Sequence, residues 1–527
     1  MVAYLWLAGL SARPLFNPDE GRYAEIPREM RSGGDWIIPH LDGLAYAEKP
    51  PLQYWATALC YRLFGTTEFA ARLYGALCAL GTLALVWFMA RAQAGERAAW
   101  RAAAILAGML LFAVLGHLVT LDMGLTFYLT LSLTGFLFAQ AAPQPNRGWM
   151  LLAWGAAALG VMSKGIIAAA IPAAVLILYS LWTRDFSAWR RLQLRLGLPL
   201  FLAVAVPWHW LAARRDGDFL QFYFVHEHVA RYLTPIAQRV EPWWFFIAVL
   251  AAGSAPWTLS VVRVVAGGWR RERAAGFDTR SFLWIWVVFV VVFFSLSDSK
   301  LMPYILPVMP PLALLIASSP ALALRRDFLI TAIFTLLAGV ALGAASLHWP
   351  QLLSQSARAG YFLPLSKAAA KIAALLSVSG AFVLVQGARD VTRAGVLLGL
   401  GWCLACIILD AAAVAVAPIY SGEALAAAIP PAQRRAPIYS IATYDQSLEF
   451  YLQRSVTLVH FRGELDYGLN KNPGAAVADL EQFARLWSAA PQAFAIMEPS
   501  MFEQLQSRGI PLRIIGRNAD RLVAARR

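Results

Sequence analysis

Apolar runs of about twenty residues, the length that crosses the hydrocarbon core of a bilayer, recur along most of this chain and are parted by short polar breaks. They fall at residues 69–90, 98–116, 121–141, 149–163, 166–182, 197–213, 243–265, 281–296, 303–323, 328–348, 368–387 and 394–418. Val2 to Leu10 adds a run of half that length. It lacks the basic start and small-residue cleavage site of a signal peptide, so Met1 is expected to lie inside the first transmembrane helix. The pattern predicts a polytopic α-helical membrane protein of about thirteen transmembrane helices, the first one truncated.

Beyond Pro418 the apolar runs stop. Pro437 to Ala442, Val456 to His460, Ala493 to Met497, Leu512 to Gly516 and Arg521 to Ala525 read as short strands, with helical patterns at Gln446 to Leu452, Ala476 to Ser488 and Pro499 to Gln506. The alternation predicts a soluble α/β domain over 420–527, following a transmembrane domain over 1–419. This tail carries no phosphate-binding glycine loop, nucleophile elbow or metal-ligand spacing, so it is expected to support the site or set its specificity.

One long polar break, residues 12–68, interrupts the apolar pattern near its start. Asp19, Glu20, Arg22, Glu25, Arg28, Glu29 and Arg31 crowd its first half, a density that no bilayer core tolerates. A helical run begins near Asp19 and breaks at Gly33-Gly34. Further on, Tyr46-Ala-Glu48-Lys49-Pro50-Pro51 forms a stiff extended corner, because each proline fixes its own φ and drives the residue before it out of the helical region. The loop is therefore expected to lie at or outside the membrane surface as interfacial helices and rigid corners.

The composition, 59% hydrophobic and 14% charged over 527 residues, agrees with that class. A net charge of +14 does not indicate nucleic acid, since the arginines sit in short loops between apolar spans rather than on a basic, aromatic-interleaved domain. Arginines mark every second loop: Arg91, Arg97 and Arg101; Arg147; Arg184, Arg190, Arg191 and Arg195; Arg263, Arg270, Arg271, Arg273 and Arg280; Arg325 and Arg326; Arg389 and Arg393. These loops are expected to be cytoplasmic. The first loop, Gly116 to Asp122, Ser163 to Gly165, Arg214 to Glu241, Ser297 to Lys300, His348 to Pro364 and the tail then share the opposite side. Cys60, Cys78, Cys403 and Cys406 all lie in apolar surroundings and read as packing residues rather than a disulfide or metal pair.

Several motifs carry a resemblance. Asp19-Glu20-x-Arg22-Tyr23-Ala24, Gly34-Asp35-Trp36 followed by Pro39, and Glu48-Lys49-Pro50-Pro51-Leu52-x-Tyr54-Trp55 look like the first external loop of the GT-C glycosyltransferases. Within them, the chain resembles the bacterial 4-amino-4-deoxy-L-arabinose transferases that modify lipid A, relatives of the protein O-mannosyltransferases. The likeness continues through Gly116-His117-x-x-x-Leu121-Asp122-Met123, Gly160-x-x-x-Lys164-Gly165, Phe222-Tyr223-Phe224-x-His226-Glu227-His228-x-x-Arg231-Tyr232 and Ser299-Lys300-x-x-Pro303-Tyr304. It implies an inverting transfer of a sugar from an undecaprenyl-phosphate carrier to lipid A, at the periplasmic face of the inner membrane. A protein or glycan hydroxyl is the alternative acceptor.

Such a reaction leaves a polyprenyl phosphate whose developing charge needs cations or hydrogen-bond donors. Lys49, held by the prolines that follow it, is the first candidate. Arg22, Tyr23, Tyr46, Lys164, Arg231, Lys300 and Tyr304 are expected to bind donor phosphate or sugar. Lysine snorkelling at a helix end competes for Lys49 and Lys300. Asp19 is the expected principal carboxylate, acting as general base towards a hydroxyl or as an orienting charge if the acceptor is an anionic phosphate. A helix N-cap is its rival assignment. Asp122 is a second acid with the same two alternatives. Glu48, His226 and His228 suit a divalent metal by ligand type. Tyr54 and Trp243-Trp244-Phe245-Phe246 read as interfacial belt, whereas Tyr46 and Tyr304 read as pocket.

The competing class is a transporter, for which Asp410 is the lone conspicuous acid within a span. Transporters gather polar groups near the membrane midplane and show internal repeats, whereas here the polar residues gather at one interface. The arginine alternation makes a direct prediction. A cysteine introduced at Asn470 is expected to react with a membrane-impermeant thiol reagent supplied from outside the inner membrane; labelling from the cytoplasmic side alone would overturn the orientation.

Overall fold

The computed structural model describes residues 2–234, 239–269, 276–353, 356 and 358–526. Met1 and three arginines of the alternation, Arg270, Arg271 and Arg273, lie outside the described residues, as do 235–238, 354, 355 and 357 within two of the expected loops. Among the described residues, six helices are long and apolar enough to cross a membrane: Glu68–Gly108, Leu121–Ala141, Leu194–Arg215, Ala321–Leu347, Ala359–Val385 and Val391–Tyr420. The first of these runs two expected spans together and turns at Gly95. Shorter apolar helices occupy Ile167–Thr183, Thr258–Gly267, Thr279–Ser295 and Met302–Ala317. With Val2–Ala8, Arg147–Lys164 and Phe245–Gly253, every interval expected to span is helical. The span expected at 243–265 is broken at Ser254 to Trp257, where Pro256 has no N–H to continue the ladder.

The arginine loops close one end of the bundle by bonding helix-terminal carbonyls, which have no partner within their own helices. Arg101 donates to Ala317 O at 3.1 Å and to Thr392 Oγ1 at 3.0 Å, and Arg191 donates to Ala142 O at 2.6 Å. At the other end sit the first loop and the tail. The loop comprises the helix Asp19–Gly33, a hairpin of β1 (His40–Leu41) and β2 (Leu44–Ala45), and the helix Leu52–Phe64.

The helix Asp19–Gly33 is polar in sequence, yet most of its residues are buried, so its charges must be compensated internally. Glu20 accepts from Arg13 at 2.5 Å and from Arg72 at 2.9 Å, and the backbone N–H groups of Phe16 and Val119 complete its shell at 3.0 and 3.2 Å. Arg72 also donates to the carbonyls of Leu10, Arg13 and Pro14. Arg13 reaches Asp410 at 2.8 Å, so the acid conspicuous within a span is an anchor for the first loop. Gly21 is required where this helix crosses the tail, since a Cβ there would stand 2.4 Å from the backbone nitrogen of Ser447.

In the tail, β3 (Ile438–Ile441), β4 (Thr457–Val459), β5 (Phe494–Met497), β6 (Leu512–Arg517) and β7 (Leu522–Arg526) form one sheet ordered β4-β3-β5-β7-β6. β3 pairs in parallel with β4 and β5, and β7 runs antiparallel between β5 and β6. Alternate residues feed opposite faces. Tyr439 and Ile441 pack with Phe483 and Trp487, while Ile438 and Ile496 pack with Leu425 and Leu448. All five strands and three helices lie within two to four residues of their expected limits.

Two aromatic expectations are corrected. Tyr54 is fully buried in the core of the first loop rather than in a belt, because the helix carrying it packs that face against Asp19–Gly33. Phe246 is likewise buried, while Trp243 and Trp244 of the same run are exposed.

The Glu20 cluster makes a stability prediction. Burial alone would raise this carboxyl, but Arg72 and Arg13 hold it down at about 2. A depressed folded value means that the stabilisation is complete above the usual glutamate range near ~4.3 and is lost as pH falls from there towards 2. Glu20→Gln is expected to cost about 3 kcal/mol at pH 7 by leaving two guanidinium groups without their carboxylate. Thermal unfolding in detergent should show wild type and variant converging as pH falls from 4 to 2.

Candidate active site

Two cavities meet at the end of the bundle that carries the loop and the tail. The larger, about 920 Å³, is walled by Arg22 and Glu48 of the first loop, His226 and Arg231 beyond the helix Leu194–Arg215, and Glu464 and Tyr467 of the tail. The smaller, about 230 Å³, lies among Lys49, Asp122, Lys164, His228, Ser299 and Tyr304. Glu227 and Arg231 line both.

At this junction three cations are matched to carboxylates. Lys49 lies 2.8 Å from Glu227, Arg231 lies 2.7 Å from the same oxygen and 3.7 Å from Glu48, and Lys164 pairs with Asp122. The Lys164 ammonium also stands 4.8 Å from the centre of the Tyr304 ring. Burial would raise the Glu227 carboxyl, but Lys49 and Arg231 hold it at about 2, so it is an anion at any physiological pH. Lys49 is thus turned to an internal partner and does not snorkel. Glu227 and Arg231 sit in a π-helical segment, Gln221–Ala230, and the turn after it. Such widened turns recur at functional sites. Gly165 ends the helix carrying Lys164 with φ 97°, and a Cβ there would lie 2.5 Å from His228 Nε2. A side chain at 165 would therefore push against the His228 wall of the smaller cavity.

Neither expected carboxylate is a helix cap. Pro18 precedes the helix that starts at Asp19, and Thr120 precedes the one that starts at Leu121, with no side-chain cap at either. Asp19 lies at the rim, partly exposed, and accepts from Arg22 at 3.1 Å. Arg22 in turn pairs with Glu464 of the tail. Tyr23 and Tyr46 are buried beneath Arg22 and do not line either cavity, although the Tyr46 hydroxyl has no hydrogen-bond partner. Lys300 is buried with its amine 2.5 Å from Ser297 O, and it too lies outside the cavity walls, which takes it from the expected donor-binding group.

Glu48, His226 and His228 share this region but are otherwise engaged. His228 Nδ1 contacts Tyr223 O at 2.6 Å, the His226 ring stacks on Phe222, and Glu48 faces Arg231. Burial lowers the affinity of His228 for a proton. Among the described residues these three are not a set of converging ligands; the set that converges is Glu25, Glu29 and Glu449.

The tail, expected to support the site or set its specificity, walls the larger cavity with residues that no motif marked. Gln446, Phe461, Gly463, Glu464, Asp466, Tyr467 and Asn470 line it. Tyr467 and Lys471 dock on Asp216, which fixes this wall against the bundle. The signal available was a charged run, Arg462 to Lys471, in a domain with no motif of its own.

Comparison with known proteins places this geometry. A family profile described as the aminoarabinose transferase C-terminal domain matches residues 425–526, and one described as dolichyl-phosphate-mannose-protein mannosyltransferase matches residues 48–210. The crystal structure of ArnT from Cupriavidus metallidurans bound to undecaprenyl phosphate superposes with a TM-score of 0.90 at 30% identity, covering 99% of this chain and 96% of that one. The chain belongs to the aminoarabinose transferase family. The apo form of the same ArnT gives a TM-score of 0.88. An undecaprenyl phosphate-α-4-amino-4-deoxy-L-arabinose arabinosyl transferase of Sodalis glossinidius is 39% identical over 59% of this chain and 56% of its own length. Its namesake in Aeromonas salmonicida is 35% identical over 60% and 57% respectively. The aligned stretches thus span little more than half of those two relatives. Family membership and the apolar helices together make this a multi-pass membrane protein.

Glu227 holds two cations at one point, so its removal tests the arrangement. Glu227→Gln is expected to lower turnover about 100-fold, the scale of a misplacement near 1 Å, with Glu227→Asp losing less. Steady-state transfer assays on both variants at normal membrane abundance check this; an unchanged rate in Glu227→Gln would remove the junction from the chemistry.

Proposed function

We propose that this protein transfers 4-amino-4-deoxy-L-arabinose from undecaprenyl phosphate to a phosphate group of lipid A, at the periplasmic face of the bacterial inner membrane. The reading rests on one observation above others. A polar cavity and a smaller, partly apolar one meet at Lys49, Glu227 and Arg231, in a chain that superposes along almost its whole length on ArnT bound to undecaprenyl phosphate. The alternation of arginine loops supports the orientation.

On this reading the donor phosphate enters the smaller cavity, and the acceptor occupies the larger one. A phosphate oxygen of lipid A attacks the anomeric carbon from the face opposite the carrier. A new carbon–oxygen bond forms as the bond to undecaprenyl phosphate breaks, and the electron pair leaves with the carrier oxygen. Lys49, Arg231 and Lys164 stabilise the extra negative charge that develops on the carrier. The attacking oxygen is already anionic near neutral pH, so Asp19 is assigned to orientation through Arg22 rather than to proton abstraction. Asp122 positions Lys164, and Tyr304 covers its ammonium. Dependence of transfer on a divalent cation is tested with a chelator.

The mannosyltransferase profile over residues 48–210 favours one second reading, transfer to a hydroxyl, in which Asp19 becomes the general base. Mass spectrometry of lipid A from cells with and without the gene separates the two. The expected result is one aminoarabinose per modified phosphate, dependent on the gene and accompanied by polymyxin resistance. Lys49→Ala should lower modification by about 10² to 10³, the cost of losing one charge-stabilising donor, and Asp19→Asn should be comparably damaging. Unmodified lipid A beside a newly glycosylated protein would overturn the proposal, and full modification by both variants would overturn the assigned roles.

A further inference from the structure

Away from both cavities, three segments bring four carboxylates to one buried point. Glu25 and Glu29 stand on successive turns of the helix Asp19–Gly33, Asp42 lies in the turn between β1 and β2, and Glu449 belongs to the short helix Leu448–Leu452 of the tail. All four are buried. Ligand oxygens of Glu25, Glu29 and Glu449 lie within 4.8 Å of one another. That separation is about twice a calcium–oxygen bond of roughly 2.4 Å, so the three fit around a single ion.

The protein's own groups leave this charge undercompensated. Arg28 pairs with Glu25, at 2.7 Å through Nε and 2.5 Å through a terminal nitrogen. Tyr444 donates to Glu449 at 2.8 Å, Val456 N–H to Asp42 at 2.9 Å, and Gly43 N–H to Glu29 Oε2 at 3.0 Å. The second oxygen of Glu29 has no hydrogen-bond partner, although the residue is only 9% exposed. An orphaned carboxylate oxygen inside a cluster of acids is costly unless something positive faces it.

We propose that Glu25, Glu29 and Glu449, supported by Asp42, bind a divalent cation of the hard, oxygen-preferring class, with Ca²⁺ favoured by the all-oxygen ligand set. The ion ties the first loop to the tail at a point remote from Lys49 and Asp122. It is separate from any metal at Glu48, His226 and His228, and its test does not depend on the transfer reaction.

The full-length protein, purified into lipid nanodiscs and stripped with EDTA, is titrated with Tb³⁺ under tyrosine excitation, since Tyr444 touches the site. A saturable luminescence displaced by Ca²⁺ is expected in wild type and in Glu48→Gln, weakened at least tenfold in Glu29→Gln and Asp42→Asn. Ca²⁺ should also raise the melting temperature of wild type but not of those two variants. The wild-type measurements stand even if a variant fails to fold. No saturable Ca²⁺-displaceable signal, a signal that survives Glu29→Gln intact, or stabilisation by acid with no response to Ca²⁺ would each overturn the proposal, the last by showing that protons alone fill the cluster.

Discussion

Packing a charged loop between a membrane bundle and a soluble tail is possible only if the buried charges find partners, and Glu20 is where that requirement is met first. Its carboxylate joins Arg13 and Arg72, and through Arg13 it reaches Asp410 near the end of the last span. Segments separated by hundreds of residues are thereby fixed to the foot of one helix. Removing one partner would leave the others charged and out of water, a penalty larger than the pair's own net contribution. Asp19 and Arg22 project from that same helix, so the anchor also sets where the site's rim stands.

The junction of the two cavities obeys the same rule with a different result. Lys49 and Arg231 converge on the buried Glu227, and Lys164 on Asp122. Two cations this close repel one another, and the shared carboxylate holds both in place. A phosphodiester entering beside them meets charges already positioned rather than flexible side chains that must be collected from water. On the proposed reading, cleavage adds negative charge to that phosphate, so the attraction strengthens as the reaction proceeds. An interaction that grows towards the transition state accelerates the chemical step, whereas one of constant strength would only tighten binding.

What the sequence made legible follows from the range of each signal. Spans and tail strands are local patterns, and each expected span and strand overlaps an observed one. Lys49, Asp122, Lys164, Arg231 and Tyr304 were found through motifs, and they do gather in one cavity. Their partners were harder to see, because Lys49 meets Glu227 across 178 positions and nothing local marks such a pair. An aromatic near a polar loop reads by default as membrane surface, whereas tertiary packing buries Tyr54. The neighbourhood of Lys300 in sequence points to the site, yet its amine turns to the Ser297 carbonyl. Glu464 lay in a domain without motifs and reaches the site only by its pairing with Arg22.

That last pairing brings the tail, expected to support the site or set its specificity, to the rim of the larger cavity. A wall of the larger cavity comes from residues 446–470, held against the bundle through Asp216 and against the first loop through Arg22 and Gly21. The smaller cavity draws none of its lining from the tail. One cavity is therefore built wholly by the bundle and its loops, and the other is completed by a separate fold that can vary without disturbing the cations at the junction. On the proposed reading, a polyprenyl phosphate presents the same headgroup chemistry whatever the sugar's destination, so the constant part of the recognition falls to the bundle. The acceptor is on that reading the variable partner, and the wall that faces it is the wall supplied by the tail.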